Sequence, residues 1–193
     1  MRTLFSLLFL ALAFVLAFFL YKSIEEPIAF NDVRDERDEA VAMKLEMIRK
    51  AQEVYRDATG EFAGNFDTLK QVLSEGKIME VKVNGDPDDP DFQGEITYDT
   101  TYTPAQQVVT ERGIVLDGLE DVPFGEGAKF DIEAKVIPYQ STNVPVVQVG
   151  IKKSVYMGEY ADARFQQYDQ SYNPNEAMKF GDLNKPTLTG SWQ

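Results

Sequence analysis

No position from Thr3 to Tyr21 is charged: the run reads TLFSLLFLALAFVLAFFLY, with Thr3 and Ser6 its most polar members. As a helix it is about 28 Å long at 1.5 Å per residue, enough to cross a bilayer's hydrocarbon core. Periodicity begins further on. From about Asp32 to Thr59, Val33, Ala40, Val41, Leu45, Ile48, Ala51 and Tyr55 recur at three- and four-residue spacing, with Met47 and Val54 widening the stripe. Arg34, Glu36, Arg37, Lys44, Lys50 and Arg56 fall on the other side, so the spacing predicts a long amphipathic helix. Between the two runs Pro27 lacks an amide hydrogen and biases its predecessor away from helix, which predicts a kink or short break. The charged stretch DVRDERDEAVAMK reads as a solvated stalk.

In IRKAQEVYRDATGEFAGNFDTL, Gly60 and Gly64 bracket a turn, and Asn65 can cap a short helix carrying Phe66, Leu69, Val72 and Leu73 that Gly76 would end. Phe62 and Phe66 are placed to fold this corner back onto Tyr55. The period then becomes two. Met79, Val81 and Val83 alternate with Glu80 and Lys82, and strand-like runs follow at 95–102, 107–111, 129–137 and 144–152. The clearest is KFDIEAKVI, with Phe130, Ile132, Ala134 and Val136 on one face and Lys129, Asp131, Glu133 and Lys135 on the other. One covered and one wet face point to an antiparallel sheet. Pro138 to Asn143 would form a longer hairpin loop, PFGEGAKF a turn entering a strand, 159–168 a short helix, and the C-terminal stretch ordered coil or an edge strand. The fold class expected is α+β: an N-terminal transmembrane helix, a long amphipathic helix and a short second helix packed on an antiparallel β-sheet. The divisions are 1–22 as anchor, 23–59 as juxtamembrane stalk and amphipathic helix, and 60–193, together with the C-terminal half of that helix, as the α+β domain.

Composition removes several functions. With 193 residues, a net charge of −13 and a pI near 4.4, the chain lacks the basic balance that displaces counterions from nucleic acid. Cys and His are both absent, which eliminates thiolate chemistry, zinc sites built on either residue and imidazole-dependent triads. The expectation is therefore a non-enzyme without a cofactor. A cleavable signal peptide is the alternative to an anchor, since Ala11-Leu12-Ala13 and Val15-Leu16-Ala17 resemble cleavage sites. Cleavage there would leave Phe18, Phe19 and Leu20 at the new end, so a retained anchor is expected. Arg2 flanks the short side while Lys22 is answered by Glu25 and Glu26. That asymmetry favours a cytoplasmic N-terminus and a periplasmic or extracellular C-terminal domain.

Two sets of residues could carry a site. The loop DPDDPD gathers Asp86, Asp88, Asp89 and Asp91, with Glu95 nearby, and hard cations such as Ca²⁺ take several carboxylate oxygens. Two prolines break the spacing of an EF-hand loop, which favours solvation over metal. Ala13 and Ala17 form a small-xxx-small pair that lets transmembrane helices approach closely. With Val41, Leu45, Ile48 and Tyr55 they make a candidate assembly face, although such a stripe more commonly covers the chain's own sheet. Paired carboxylates for a hydrolase are available in number, but none is singled out by its neighbours.

The combination of YKSIEEPIAFN, IRKAQEVYRDATGEFAGNFDTL, DVPFGEGAKFDI and MKFGDL followed by GSW is similar to an uncharacterised family of single-pass envelope proteins of Bacteroidetes-type bacteria. In architecture the chain also resembles type IV pilins and pseudopilins, without a Gly-Phe-Thr-Leu-Ile-Glu-like processing site before the apolar run. The resemblance implies a bacterial inner-membrane location and partners among the bilayer, other copies of the chain and other envelope proteins. The expected role is a structural subunit of an envelope assembly, filament or trans-envelope complex. An anchored binding module, calcium-dependent through 86–91, is the alternative.

Overall fold

The computed structural model describes residues 2–84 and 97–192. A single helix, α1 (Arg2–Thr59), runs from the apolar segment through the amphipathic stretch, and Pro27 lies inside it. The break expected at Pro27 does not occur. An interior proline costs about 3 kcal/mol through its missing amide bond. Here the cost is offset because Phe30, one turn on, is fully buried and Glu26 is tied to the domain.

α1 ends at the corner foreseen from its glycines. Gly60 takes φ +81°, and Asn65 caps α2 (Phe66–Glu75) by accepting from Thr68 N at 2.8 Å. Phe66, Leu69 and Leu73 form the buried face of α2, and Gly76 terminates it by donating to Val72 O. Phe62 and Tyr55 both pack on the same core.

The strands divide into two antiparallel sheets. Among the described residues β1 (Lys77–Asn84) pairs only with β2 (Thr97–Pro104), in register from Lys77 opposite Pro104 to Asn84 opposite Thr97. At the start of β1 Ile78 is buried while Met79 is 56% exposed, so at these two positions the covered parity is opposite to that read from Met79. The expected strand at 107–111 is instead helix α3 (Ala105–Glu111). Ala105 and Val109, four apart, are buried between exposed Gln106, Gln107 and Thr110, a helical period too short to outweigh the β-branched Val108-Val109 pair when read locally.

The second sheet has the order β3 (Asp131–Tyr139), β4 (Thr142–Lys152), β5 (Ala177–Gly181). Phe130 is buried, Ile132 and Ala134 are half-buried, and Lys129, Asp131, Glu133 and Lys135 are exposed, as the first part of KFDIEAKVI predicts; Val136, expected on the covered face, is instead 49% exposed. The β3–β4 connection is tighter than expected. Gln140 and Ser141 take φ +46° and +71° and close a two-residue turn between paired Tyr139 and Thr142, the left-handed geometry that suits strand twist. β5 is the edge strand that the C-terminal stretch allowed. It is followed by a bridge from Phe180 to Gly190. Instead of a helix over 159–168, two 3-10 turns form at Gly158–Tyr160 and Ala163–Gln167, after a short helix α4 (Lys153–Tyr156).

The core lies between α1, α2 and the three-stranded sheet: Val41, Leu45, Ile48, Leu69, Val147 and Phe180 are all fully buried.

Candidate functional site

The most elaborate side-chain arrangement is a collar around α1 where it leaves the apolar run. Phe30 sits at its centre, stacked on Phe165 at 5.1 Å between ring centroids and meeting the edge of Tyr172 at 5.1 Å. Tyr160 and Tyr168 complete the ring at 5.8 and 6.2 Å. Such offset and edge contacts add about 0.5–1.5 kcal/mol per pair beyond area burial. The aromatics come from the two 3-10 turns and the coil after them, and Tyr172 Oη closes this segment by donating to Tyr160 O at 2.7 Å. Burial pushes the Tyr172 phenol up to about 12.

Charged side chains bolt the collar to the helix. Tyr168 Oη donates to Glu26 Oε2 at 2.7 Å, and Arg164 reaches the other oxygen of Glu26 at 3.3 Å. The hydrogen bond to Glu26 raises the Tyr168 phenol above its ordinary value. About two turns later Arg34 donates to Asp169 at 2.6 Å and to Asp35. Higher still, Tyr156 Oη donates to Asp38 at 2.6 Å, Lys153 approaches the same carboxylate at 3.8 Å, and Arg37 donates to Tyr156 O at 2.7 Å. Burial, with Asp38 second, raises the Tyr156 phenol far above its ordinary value. Gly158 lies where its φ of +58° and the nearby Arg37 guanidinium both disfavour a side chain. The stretch expected as a solvated stalk is thus gripped by residues 153–172, and Arg34 and Arg37, expected on the side opposite Val41, face the domain instead. Its charges were legible, but their partners lie more than a hundred residues away.

The candidate assembly face divides. Val41, Leu45 and Ile48 are fully buried in the chain's own core and Tyr55 packs against it, so the stripe covers its own domain and is closed to a partner. Ala13 and Ala17 remain exposed, on the apolar part of α1. That part contains an 18-residue stretch of mean hydropathy 2.3 with none of it buried. It is long and apolar enough to cross a membrane. Asp86, Asp88, Asp89 and Asp91 lie outside the described residues; among the described residues no group of three or more acidic side chains is placed to hold a metal ion.

One hydroxyl–carboxylate contact has the form of an activated nucleophile. Ser171 Oγ donates to Asp169 Oδ1 at 2.7 Å. The same oxygen accepts from Ser171 N, and the hydrogen bonds from Ser171, with Arg34 beside them, hold the Asp169 carboxyl below its usual range. A carboxylate so stabilised is a weak base; its chemistry here is that of a turn cap and ion-pair partner.

No known family model, curated protein or solved structure matches this chain.

Proposed function

We propose that the chain is a non-enzymatic structural subunit of a membrane-anchored envelope assembly, a filament or a trans-envelope complex, with its N-terminus in the cytoplasm and its domain in the periplasm or outside. The observation that carries this reading is the continuity of α1. The helix that forms the apolar span also supplies the domain's core, and the collar removes the hinge that a simple tether would have at Pro27. A domain held in a set orientation on its span suits a subunit that must meet partners at a defined angle. Resemblance to single-pass envelope proteins and to pilin architecture points the same way, and the positive-inside tendency of Arg2 supports the orientation.

The test is association in intact membranes. Ala13→Leu with Ala17→Leu fills the small-residue face on which close helix approach depends, without changing the capacity to insert. Crosslinked complexes are expected to disappear while the protein stays in the membrane pellet after carbonate wash. Unchanged crosslinking, in this variant and in one whose whole span is a generic leucine-rich helix, would reduce the span to a tether and overturn the reading.

A further inference from the structure

The collar occupies one side of α1 and leaves the other bare. At 3.6 residues per turn, Ala13 and Ala17, Ile24 and Ile28, Asp32 and Glu39 all fall within an arc of about 100°. Phe30, Arg34 and Val41 lie on the far side, against the domain. Ile24 is 54% and Ile28 55% exposed. They line a shallow groove of about 350 Å³ together with Tyr21, Glu25, Ala29 and Asp32. Glu25 is answered by Lys22 at 3.4 Å. Asp32 and Glu39 are exposed, and Asp35 beside them shares Arg34 with Asp169, so two carboxylates and one arginine leave that group net negative. The face therefore changes character with height: small residues in the span, isoleucines just above it, carboxylates above those.

We propose that this face docks the helix of a different membrane-anchored protein, one that leaves the bilayer alongside α1 with apolar residues at the level of Ile24 and Ile28 and Lys or Arg at the level of Asp32 to Glu39. The inference rests on the membrane-anchored reading above and names the partner it requires. Lipid headgroups reach the level of Ile24, about 4.5 Å beyond Tyr21, but not that of Ile28. Ile28 stands seven residues beyond Tyr21, about 10.5 Å along the helix, whereas the headgroup layer on each side is about 5–7 Å deep. A second copy is disfavoured by charge. Two copies anchored in one bilayer meet level with level, setting Asp32 and Glu39 of each against the same carboxylates of the other. A basic partner turns that repulsion into attraction, and Ala13 and Ala17 let its span approach closely.

The experiment places a photo-crosslinking benzoylphenylalanine at Ile28, and separately at Ile24, in the full chain in its native membranes. The pellet is carbonate-washed first: protein lost to the wash sinks the anchored reading itself, while protein retained isolates the present inference. Expected from both positions is an adduct to one membrane-anchored chain whose sequenced crosslink site lies within three helical turns above its span and is flanked by Lys or Arg. Asp32→Lys with Glu39→Lys, which leaves the Arg34–Asp35 contact intact, should abolish that adduct with the domain still folded by Trp192 fluorescence. An adduct at twice the chain's own mass, adducts to lipid alone, no adduct, or one indifferent to charge reversal would each overturn the proposal.

Discussion

Gln52 and Ala63 exchange two hydrogen bonds: Gln52 Nε2 donates to Ala63 O and Ala63 N donates to Gln52 Oε1, both at 2.9 Å. Gln52 is fully buried. Its primary amide therefore substitutes for a strand partner at the corner between α1 and α2, where the chain reverses and its backbone groups would otherwise be buried without partners.

Truncation of that side chain tests its role. Gln52→Leu leaves an amide hydrogen and a carbonyl unsatisfied, each costing about 1–3 kcal/mol, so thermal unfolding in detergent should show a loss of about 2–6 kcal/mol. Gln52→Glu keeps the shape but aims a carboxylate at the Ala63 carbonyl. Its folded pKa must rise, so the variant should regain stability as pH falls and lose it as pH rises through that value. Equal damage at pH 4 and pH 8 would refute the hydrogen-bond account.

The collar gives a second test. Phe30→Ala should cost about 3–5 kcal/mol, as for other large-to-small changes in a packed core, and Phe30→Leu less. The loss should be local first: limited proteolysis should cut within residues 158–172 before it cuts β4. Simultaneous cleavage of both would mean that the collar and the sheet open as one unit.

Much of the fold was readable because its cause was local. The cap at Asn65, the stop at Gly76 and the alternation of β3 each depend on neighbouring residues. The collar was not readable, since Phe30 lies in a charged, proline-bearing stretch and gains its burial only from Phe165 and Tyr172. The same cause hid the state of Val41, Leu45 and Ile48. A helical stripe states that something covers it, and only the tertiary arrangement states what. At the start of β1 the sequence misleads because adjacent Ile78 and Met79 place apolar residues on both faces, leaving the choice to packing.

The acidic loop at 86–91 is expected to be solvated. Titrating calcium into the full chain in detergent should then leave the melting temperature unchanged, because a cation bound only to the folded state raises it by mass action. A rise of several degrees at millimolar calcium, lost in Asp88→Ala with Asp91→Ala, would favour the binding-module reading over the structural one.

Glu120 gives a prediction whose sign depends on pH. Lys70 Nζ donates to both carboxylate oxygens of Glu120, at 2.8 and 2.9 Å, tying α2 to the loop before β3, and Lys129 approaches at 3.4 Å. The hydrogen bond from Lys70, ahead of a backbone bond, lowers the Glu120 carboxyl to about 2. The same bond raises the Lys70 amine above its ordinary 10.5. A depressed carboxyl contributes stability above its unfolded value, near 4.3, and loses that contribution as pH falls through the folded value. A raised amine contributes below its ordinary value and loses the contribution as pH climbs past it. The difference in melting temperature between the parent and Glu120→Gln should thus stay level from about pH 5 to 9. It should shrink between about pH 4 and 2, and shrink again above about pH 10.5. Lys70→Met should remove the same difference, since the two side chains act as one pair. A difference that persisted unchanged at pH 2 would mean that Glu120 stabilises the fold through packing and not through its charge.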